Sequence, residues 1–234
     1  MKKALYILGI ALGLVFFYVS WGQAEKENGN LVIVQSTIGD ISQKDIDRVR
    51  KEAEKALSNI SPILGIKHTT PITIKIVEGG ICNAYGGIIS LPIRLVKQRK
   101  AAIVHEVTHI ITRHGYNRFF SEGLAIYFQE RFGEDHGFPN FSGVPLDKLV
   151  RQYRNNLHDI YELNSDGSIF TKVGTKKREI AYIQAGSFVN FLVETYGEKN
   201  LTELHNSISL NYKEIYGKDI KELGVDWYKF VLGD

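Results

Sequence analysis

The chain has 234 residues, enough for one sizeable domain with a short additional segment. Its 44% hydrophobic and 24% charged residues are typical of a globular protein and exclude a largely disordered chain. The formal net charge is +3, and omitting Lys2 and Lys3 leaves 27 basic against 26 acidic side chains, so no nucleic-acid partner is expected. The single cysteine, Cys82, cannot form an internal disulfide, so the fold depends on its core.

Residues 1–24 have the pattern of a leader that is separate from the folded domain. Two lysines precede the uncharged run 4–21, and small residues follow at the positions that a signal peptidase inspects. The run suits a cleaved signal peptide, and it is also just long enough for an N-terminal membrane anchor. Both interpretations stay open, and both place residues 25–234, as one domain, outside the cytoplasm in a secreted or membrane-anchored protein.

The first half of the domain predicts strands around one long helix. Ser42 is a suitable N-cap for a helix running to about Ile60, because apolar side chains recur there at helical spacing. Glycine pairs flank the segment 81–85, which predicts a loop or a glycine-rich hairpin. Short β-branched runs predict strands at 31–34, 72–77 and 88–91.

The second half predicts mainly helices, with Trp227 and Phe230 as core residues of the last one. Gly123 and the small residues Ala181, Ala185 and Gly186 predict a close approach between helices. The expected helices cover about 97–114, a segment starting near 121, then 145–156, 178–196, 199–209 and 219–231.

A metal-binding pattern lies in the first of these helices. His105 and His109 are four residues apart, so on a helix they share one face and can hold one metal ion. Glu106 lies at the edge of that face, where it can take a proton from a water bound to the metal. A catalytic zinc site needs a third protein ligand, and Glu122 on the next helix is the candidate. The plainer alternative is a buried amphipathic helix with two incidental histidines.

The sequence HEVTH at 105–109, followed by SEGLA at 121–125, resembles the gluzincin zinc metallopeptidases, and most closely the bacterial peptidase-MA-like proteins. A weaker likeness extends over about 70–200 and includes the run AYIQAGSF at 181–188. The spacing between His109 and Glu122 is shorter than in the larger gluzincins. The resemblance implies an α+β, zincin-like fold: a small N-terminal mixed sheet with an edge strand beside an active-site helix, then a helical C-terminal part.

The same resemblance implies further site residues. Relatives use a downstream tyrosine or histidine to stabilise the oxyanion, and Tyr182 is the candidate here, with His205 in reserve. An edge strand in relatives pairs with the substrate backbone, which points to the residues of the glycine-flanked segment. Those residues are Asn83, Ala84 and Tyr85.

The function predicted from these patterns is a zinc-dependent peptidase that acts on a peptide or protein substrate. A non-catalytic extracytoplasmic zinc-binding or sensor module is the alternative, although such a module has no need of Glu106. Hydrolysis of a bond other than a peptide bond also stays open. The sequence predicts neither the cleavage specificity nor an oligomeric state.

The extracytoplasmic placement is tested by a reporter enzyme that works only outside the cytoplasm. Fused after Asp234, the reporter should be active, because the lysine pair before the apolar run favours the cytoplasmic side. A cytoplasmic reporter at the same position should be inactive, and the reverse pair of results would reverse the topology.

Overall fold

A computed structural model describes residues 31–112 and 115–233. The leader expected at 1–24 and the expected C-terminal end of the histidine-bearing helix, at residues 113 and 114, lie outside the described residues. No helix in the part of the chain that is described has both the length and the apolar composition needed to cross a membrane.

The described residues form an α+β domain with one small mixed sheet, as the sequence predicts. The sheet order is β1-β2-β4-β3, with the first three of these strands parallel and the last antiparallel to its neighbour. The strands are β1 (Val32–Ser36), β2 (Ile72–Val77), β3 (Asn83–Tyr85) and β4 (Ile88–Pro92). Strand β3 is therefore an edge strand within the described sheet.

The first three helices in the described ranges contact the sheet, and the later helices form the C-terminal part. They are α1 (Gln43–Leu64), α2 (Ile93–Lys97), α3 (Ile103–Thr112), α4 (Arg118–Phe132), α5 (Leu146–Gln152), α6 (Ile160–Ser165), α7 (Lys176–Tyr196), α8 (Glu198–Asn206), α9 (Tyr212–Tyr216) and α10 (Ile220–Leu232). Helices α1 and α3 pack against each other and against strands of the sheet. The core of the N-terminal half therefore lies between these helices and the sheet.

The glycine-flanked segment forms a hairpin rather than an unstructured loop. Gly86 and Gly87 both have positive φ, at 58° and 82°, between the antiparallel strands β3 and β4. A two-residue hairpin turn with positive φ at both positions matches the twist of its strands, and glycine adopts it without strain. The hairpin brings β3 against α3, which carries the two histidines.

Several helix boundaries differ from the sequence prediction by a few residues, and two of these differences have a visible cause in the backbone. The long first helix is capped by Ser42 as expected, but it continues past Ile60 to Leu64, with Pro62 in its last turn and Gly65 as its left-handed C-cap. The helix expected at 97–114 is interrupted, because the backbone of Arg99 is left-handed with a φ of 55°. Helical periodicity continues across this break in the sequence, so periodicity alone did not reveal it.

The last helix is anchored by one of its two predicted core residues. Trp227 is 1% exposed, and its indole Nε1 donates a hydrogen bond to Ser187 Oγ at 3.0 Å. Phe230 is 41% exposed, so its prediction as a core residue was wrong. Phe230 follows Trp227 by three residues, a rotation of about 300° around the helix. This places Phe230 at the margin of the buried stripe rather than at its centre.

Helices α4 and α7 approach closely at the small residues that the sequence singled out. A Cβ atom on Gly123 would lie 2.8 Å from the backbone oxygen of Ala185 and 2.9 Å from Val189 Cγ2. A Cβ atom on Gly186 would lie 2.4 Å from Ile126 Cγ2. These distances are shorter than van der Waals contact, so the two helices can pack at this separation only with glycine at both positions.

Gly123→Ala should therefore destabilise the protein by about 1–3 kcal/mol, the usual cost of overpacking, even though alanine favours helix formation by about 1 kcal/mol. Denaturant unfolding measures the change in free energy. Gly39→Ala is the matched control, because a Cβ atom there meets nothing within 4 Å; it should change stability by less than about 0.5 kcal/mol. A Gly123→Ala protein as stable as this control would contradict the packing argument.

Candidate metal centre

Helix α3 presents His105 and His109 to a common point. Their Nε2 atoms are 3.0 Å apart, and the two rings meet edge to face. His105 is buried, and His109 is partly buried. Because residues i and i+4 lie one above the other on a helix, this convergence follows directly from the sequence spacing.

Glu122 completes the group from helix α4. Its Oε2 atom lies 3.2 Å from His109 Nε2 and 3.3 Å from His105 Nε2. In a tetrahedral centre with metal–ligand distances of about 2.0–2.1 Å, the ligand atoms lie about 3.3 Å from one another. The three atoms therefore have the mutual spacing of three ligands of one metal ion, and no other group of this kind occurs among the described residues.

The pKa shifts of His109 and Glu122 run in opposite directions, as expected for a carboxylate that shares protons with two imidazoles. Burial opposes charge on His109, but the hydrogen bond and negative charge of Glu122 raise the pKa of this imidazole above its ordinary value. Burial would raise the pKa of Glu122, yet hydrogen bonds from His105 and His109 hold it below its ordinary range. A metal ion can take the place of the proton, so metal binding should release protons and weaken in acid.

The two histidine rings are oriented in different ways. Ser121 Oγ lies 3.2 Å from Nδ1 of His109 and can accept a hydrogen bond from a proton on that nitrogen. In this tautomer Nε2 of His109 carries no proton and is free to bind a metal. Nδ1 of His105 is buried and has no hydrogen-bond partner among the described residues. Its ring instead stacks on Tyr182, with centroids 6.4 Å apart and planes 14° from parallel.

Gln129 holds the two metal-binding helices in register. Its side-chain oxygen accepts a hydrogen bond from the backbone amide of His105 at 3.0 Å, and its nitrogen donates to the carbonyl of Asp135 at 2.7 Å. The amide of His105 lies in the first turn of α3, where no carbonyl within the helix can accept from it. Sequence reasoning missed Gln129, because nothing in the local pattern indicates a partner 24 residues away.

Glu106 lies on α3 next to the metal-binding group, and it is 5% exposed. Burial raises the pKa of its carboxyl above the ordinary value, although the neighbouring His105 and His109 oppose this rise. A carboxylate with a raised pKa is a better proton acceptor than an ordinary surface glutamate. Its carboxylate lines the same cleft but is not one of the three converging ligand atoms.

The metal-binding group and Glu106 line one cleft of about 1150 Å³. Strand β3 forms one wall with Asn83, Ala84 and Tyr85, and Tyr85 is 87% exposed. Tyr182 on α7 also lines the cleft, as do Phe138 and Phe141 from the loop after α4. The structure thus brings the sequence-predicted site residues together.

Tyr182 and His205 differ in where the structure places them. The Tyr182 hydroxyl accepts a hydrogen bond from Arg178 Nη2 at 3.1 Å, and its own proton lies towards the carboxylate of Glu122 at the metal-binding group. Burial, together with the charge of Glu122, raises the pKa of Tyr182, which keeps the hydroxyl protonated. His205 is buried on α8 and is not among the described residues that line the cleft.

No protein-family model, curated protein or solved structure matches the chain. The likeness to gluzincins therefore rests on the motif residues alone, and the function must be argued from the geometry of the site.

One bound metal ion per chain is expected, and His109→Ala should lose most of it. The two remaining ligand atoms cannot enclose the ion, and metal content after dialysis, measured by elemental analysis, should fall sharply. His136→Ala is the matched control, because His136 is exposed and lies outside the metal-binding group; this variant should keep its metal. Full occupancy in the His109→Ala protein would show that the ion binds elsewhere.

Proposed function

We propose that the chain is a zinc-dependent peptidase. The observation that carries the proposal is a buried carboxylate, Glu106, on the same helix as two of the three converging ligand atoms and in the same cleft as all three. Two imidazoles and one carboxylate suit zinc, and they also suit non-haem iron. We choose zinc because Glu106 provides a base for hydrolysis, a reaction in which zinc activates the water. Such a base has no role in simple metal storage.

The proposal includes a zincin-like arrangement of the substrate. An extended peptide would lie along the free edge of β3 and bring one of its carbonyl groups to the metal-binding group. The exposed Asn83 and Tyr85 and the partly buried Ala84 offer their backbone and side chains to it. The glycine turn beside β3 leaves room for this approach, since a Cβ atom on Gly86 or Gly87 would meet nothing within 4 Å.

In this mechanism a bound zinc ion would polarise the scissile carbonyl and lower the pKa of water. Glu106 takes one proton from the attacking water and passes it to the nitrogen of the leaving amine. The Tyr182 hydroxyl donates a hydrogen bond to the oxygen on which negative charge develops. The sum of these steps adds one water across the peptide bond and leaves a free carboxylate and a free amine.

The position of Tyr182 supports this role. Its ring is held against His105, and its hydroxyl is anchored by Arg178, so the donor is oriented before substrate binds. If the leader acts as the sequence predicts, this activity would take place outside the cytoplasm.

Glu106→Gln tests the proposal. Glutamine has nearly the same shape, so the variant should keep its metal and its melting temperature, but it cannot accept the water proton. Turnover of a broad peptide library should fall by about a hundred- to ten-thousand-fold. Tyr182→Phe, measured alongside, should keep the metal and lose about a hundred- to a thousand-fold in kcat.

Two outcomes would count against the peptidase. Hydrolysis at the wild-type rate by the Glu106→Gln protein would remove the base from the mechanism. A wild-type protein that binds zinc but cleaves no member of the library would favour the alternative of a non-catalytic zinc-binding or sensor module.

A further inference from the structure

Apart from the candidate metal centre and Glu106, the charged side chains of the described residues that line the cleft are all positive. The carboxylates on the described lining are Glu106 and Glu122, and both belong to the catalytic group proposed above. A divalent ion would balance these two charges, so the rest of the cleft would carry a positive field that attracts anions. The lysine and arginine residues on the lining are Arg94, Lys100, Arg118 and Arg178.

Arg178 differs from the other three because it is partly buried, whereas they are exposed. Its guanidinium lies 4.9 Å from the ring centroid of Phe138 and 4.7 Å from that of Tyr182. Its Nε donates to the carbonyl of Phe170 at 2.8 Å, and its Nη2 donates to the Tyr182 hydroxyl at 3.1 Å. The side chain is thus fixed in one orientation, which lowers the entropy lost when it binds a ligand.

No carboxylate of the described residues pairs with Arg178. Both of its hydrogen bonds go to neutral oxygens, and a guanidinium carries five N–H donors. The remaining N–H groups lie on a residue that lines the cleft. A partly buried cation without an anion is unfavourable, and a planar guanidinium fork matches the two oxygens of a carboxylate.

We propose that Arg178 binds a carboxylate of the substrate in a subsite beside Tyr182. The inference rests on the proposed peptidase function, and it names the class of substrate: peptides that carry a carboxylate close to the scissile bond. Aspartate or glutamate side chains can supply this group, and so can the C-terminal carboxylate of a peptide. The same chemistry serves in both cases, so the experiment separates the two sources.

The experiment compares matched peptides that differ in one carboxylate. One peptide carries glutamate and an amidated C-terminus, a second carries glutamine and a free C-terminus, and a third carries glutamine and an amidated C-terminus. The glutamate is placed in turn on each side of the cleaved bond, which mass spectrometry of the products identifies. The quantity measured is the ratio of kcat/KM between a carboxylate peptide and the third peptide.

For the wild type this ratio should be about tenfold to a hundredfold for at least one carboxylate peptide, the range expected for a charge-assisted hydrogen bond. Arg178→Gln should reduce the ratio to about one, even if turnover of all peptides also falls because Tyr182 loses its anchor. Arg131→Gln is the matched control: Arg131 also stacks on aromatic rings, but it pairs with Glu198 and lies outside the cleft. It should leave the ratio unchanged.

Three results would overturn the assignment. One is a wild-type ratio near one for every carboxylate peptide. Another is an equal loss on charged and neutral peptides in Arg178→Gln, which would leave this residue only a positioning role for Tyr182. The last is an equal fall of the ratio in Arg94→Gln, which would assign the preference to the general field of the cleft.

A binding measurement separates this inference from the peptidase itself. The Glu106→Gln protein should bind at least one of the two carboxylate peptides about tenfold more tightly than the third, neutral peptide in calorimetric titration. Adding Arg178→Gln to that protein should remove the difference. If the wild type cleaves no peptide while this binding difference persists, the peptidase proposal fails and the carboxylate site stands; cleavage without any preference gives the opposite result.

Discussion

The candidate metal centre depends on holding two imidazole nitrogens and one carboxylate oxygen within 3.3 Å of one another in a buried place. Such a group is unfavourable unless a cation or protons lie between its atoms, so the surrounding fold must supply the free energy that keeps it together. Two of the atoms come from one turn of α3 and need only a helix. The third requires that α4 be fixed against α3, and the hydrogen bond from the His105 amide to Gln129 contributes to this.

Helix α7 adds two polar side chains to the candidate metal centre, and the proposed reaction uses one of them. Its close approach to α4, made possible by Gly123 and Gly186, brings Tyr182 over the His105 ring. One turn before Tyr182, the same helix carries Arg178, which anchors the Tyr182 hydroxyl and lines the cleft. One helix thus contacts His105 of the candidate metal centre and carries both Tyr182 and Arg178, so a small shift of α7 would affect all three side chains together.

The sequence predicted what local periodicity determines, and it missed what long-range contacts determine. The spacing of His105 and His109 fixes their convergence on any helix, and Ser42 caps a helix by contacts within four residues. Gln129 acts across 24 residues, and its role appears only when α3 and α4 lie side by side. Arg178 was indistinguishable in the sequence from its solvated neighbours at the start of α7. Its difference lies in the aromatic rings that enclose it, and only the tertiary structure shows these.

In the proposed peptidase, the shortness of β3 would limit what backbone pairing contributes to substrate binding. A strand of three residues offers an added peptide only a few hydrogen bonds, each with a net value of about 0.5–1.5 kcal/mol. Association costs at least about 4 kcal/mol in lost translational and rotational freedom, so the edge strand alone cannot hold a peptide firmly. Most of the binding free energy would then have to come from the rest of the cleft wall, which includes Phe138, Phe141 and residues of α7. Selectivity in such a site depends on the side chains of that wall, while the edge strand mainly sets the direction of the substrate backbone.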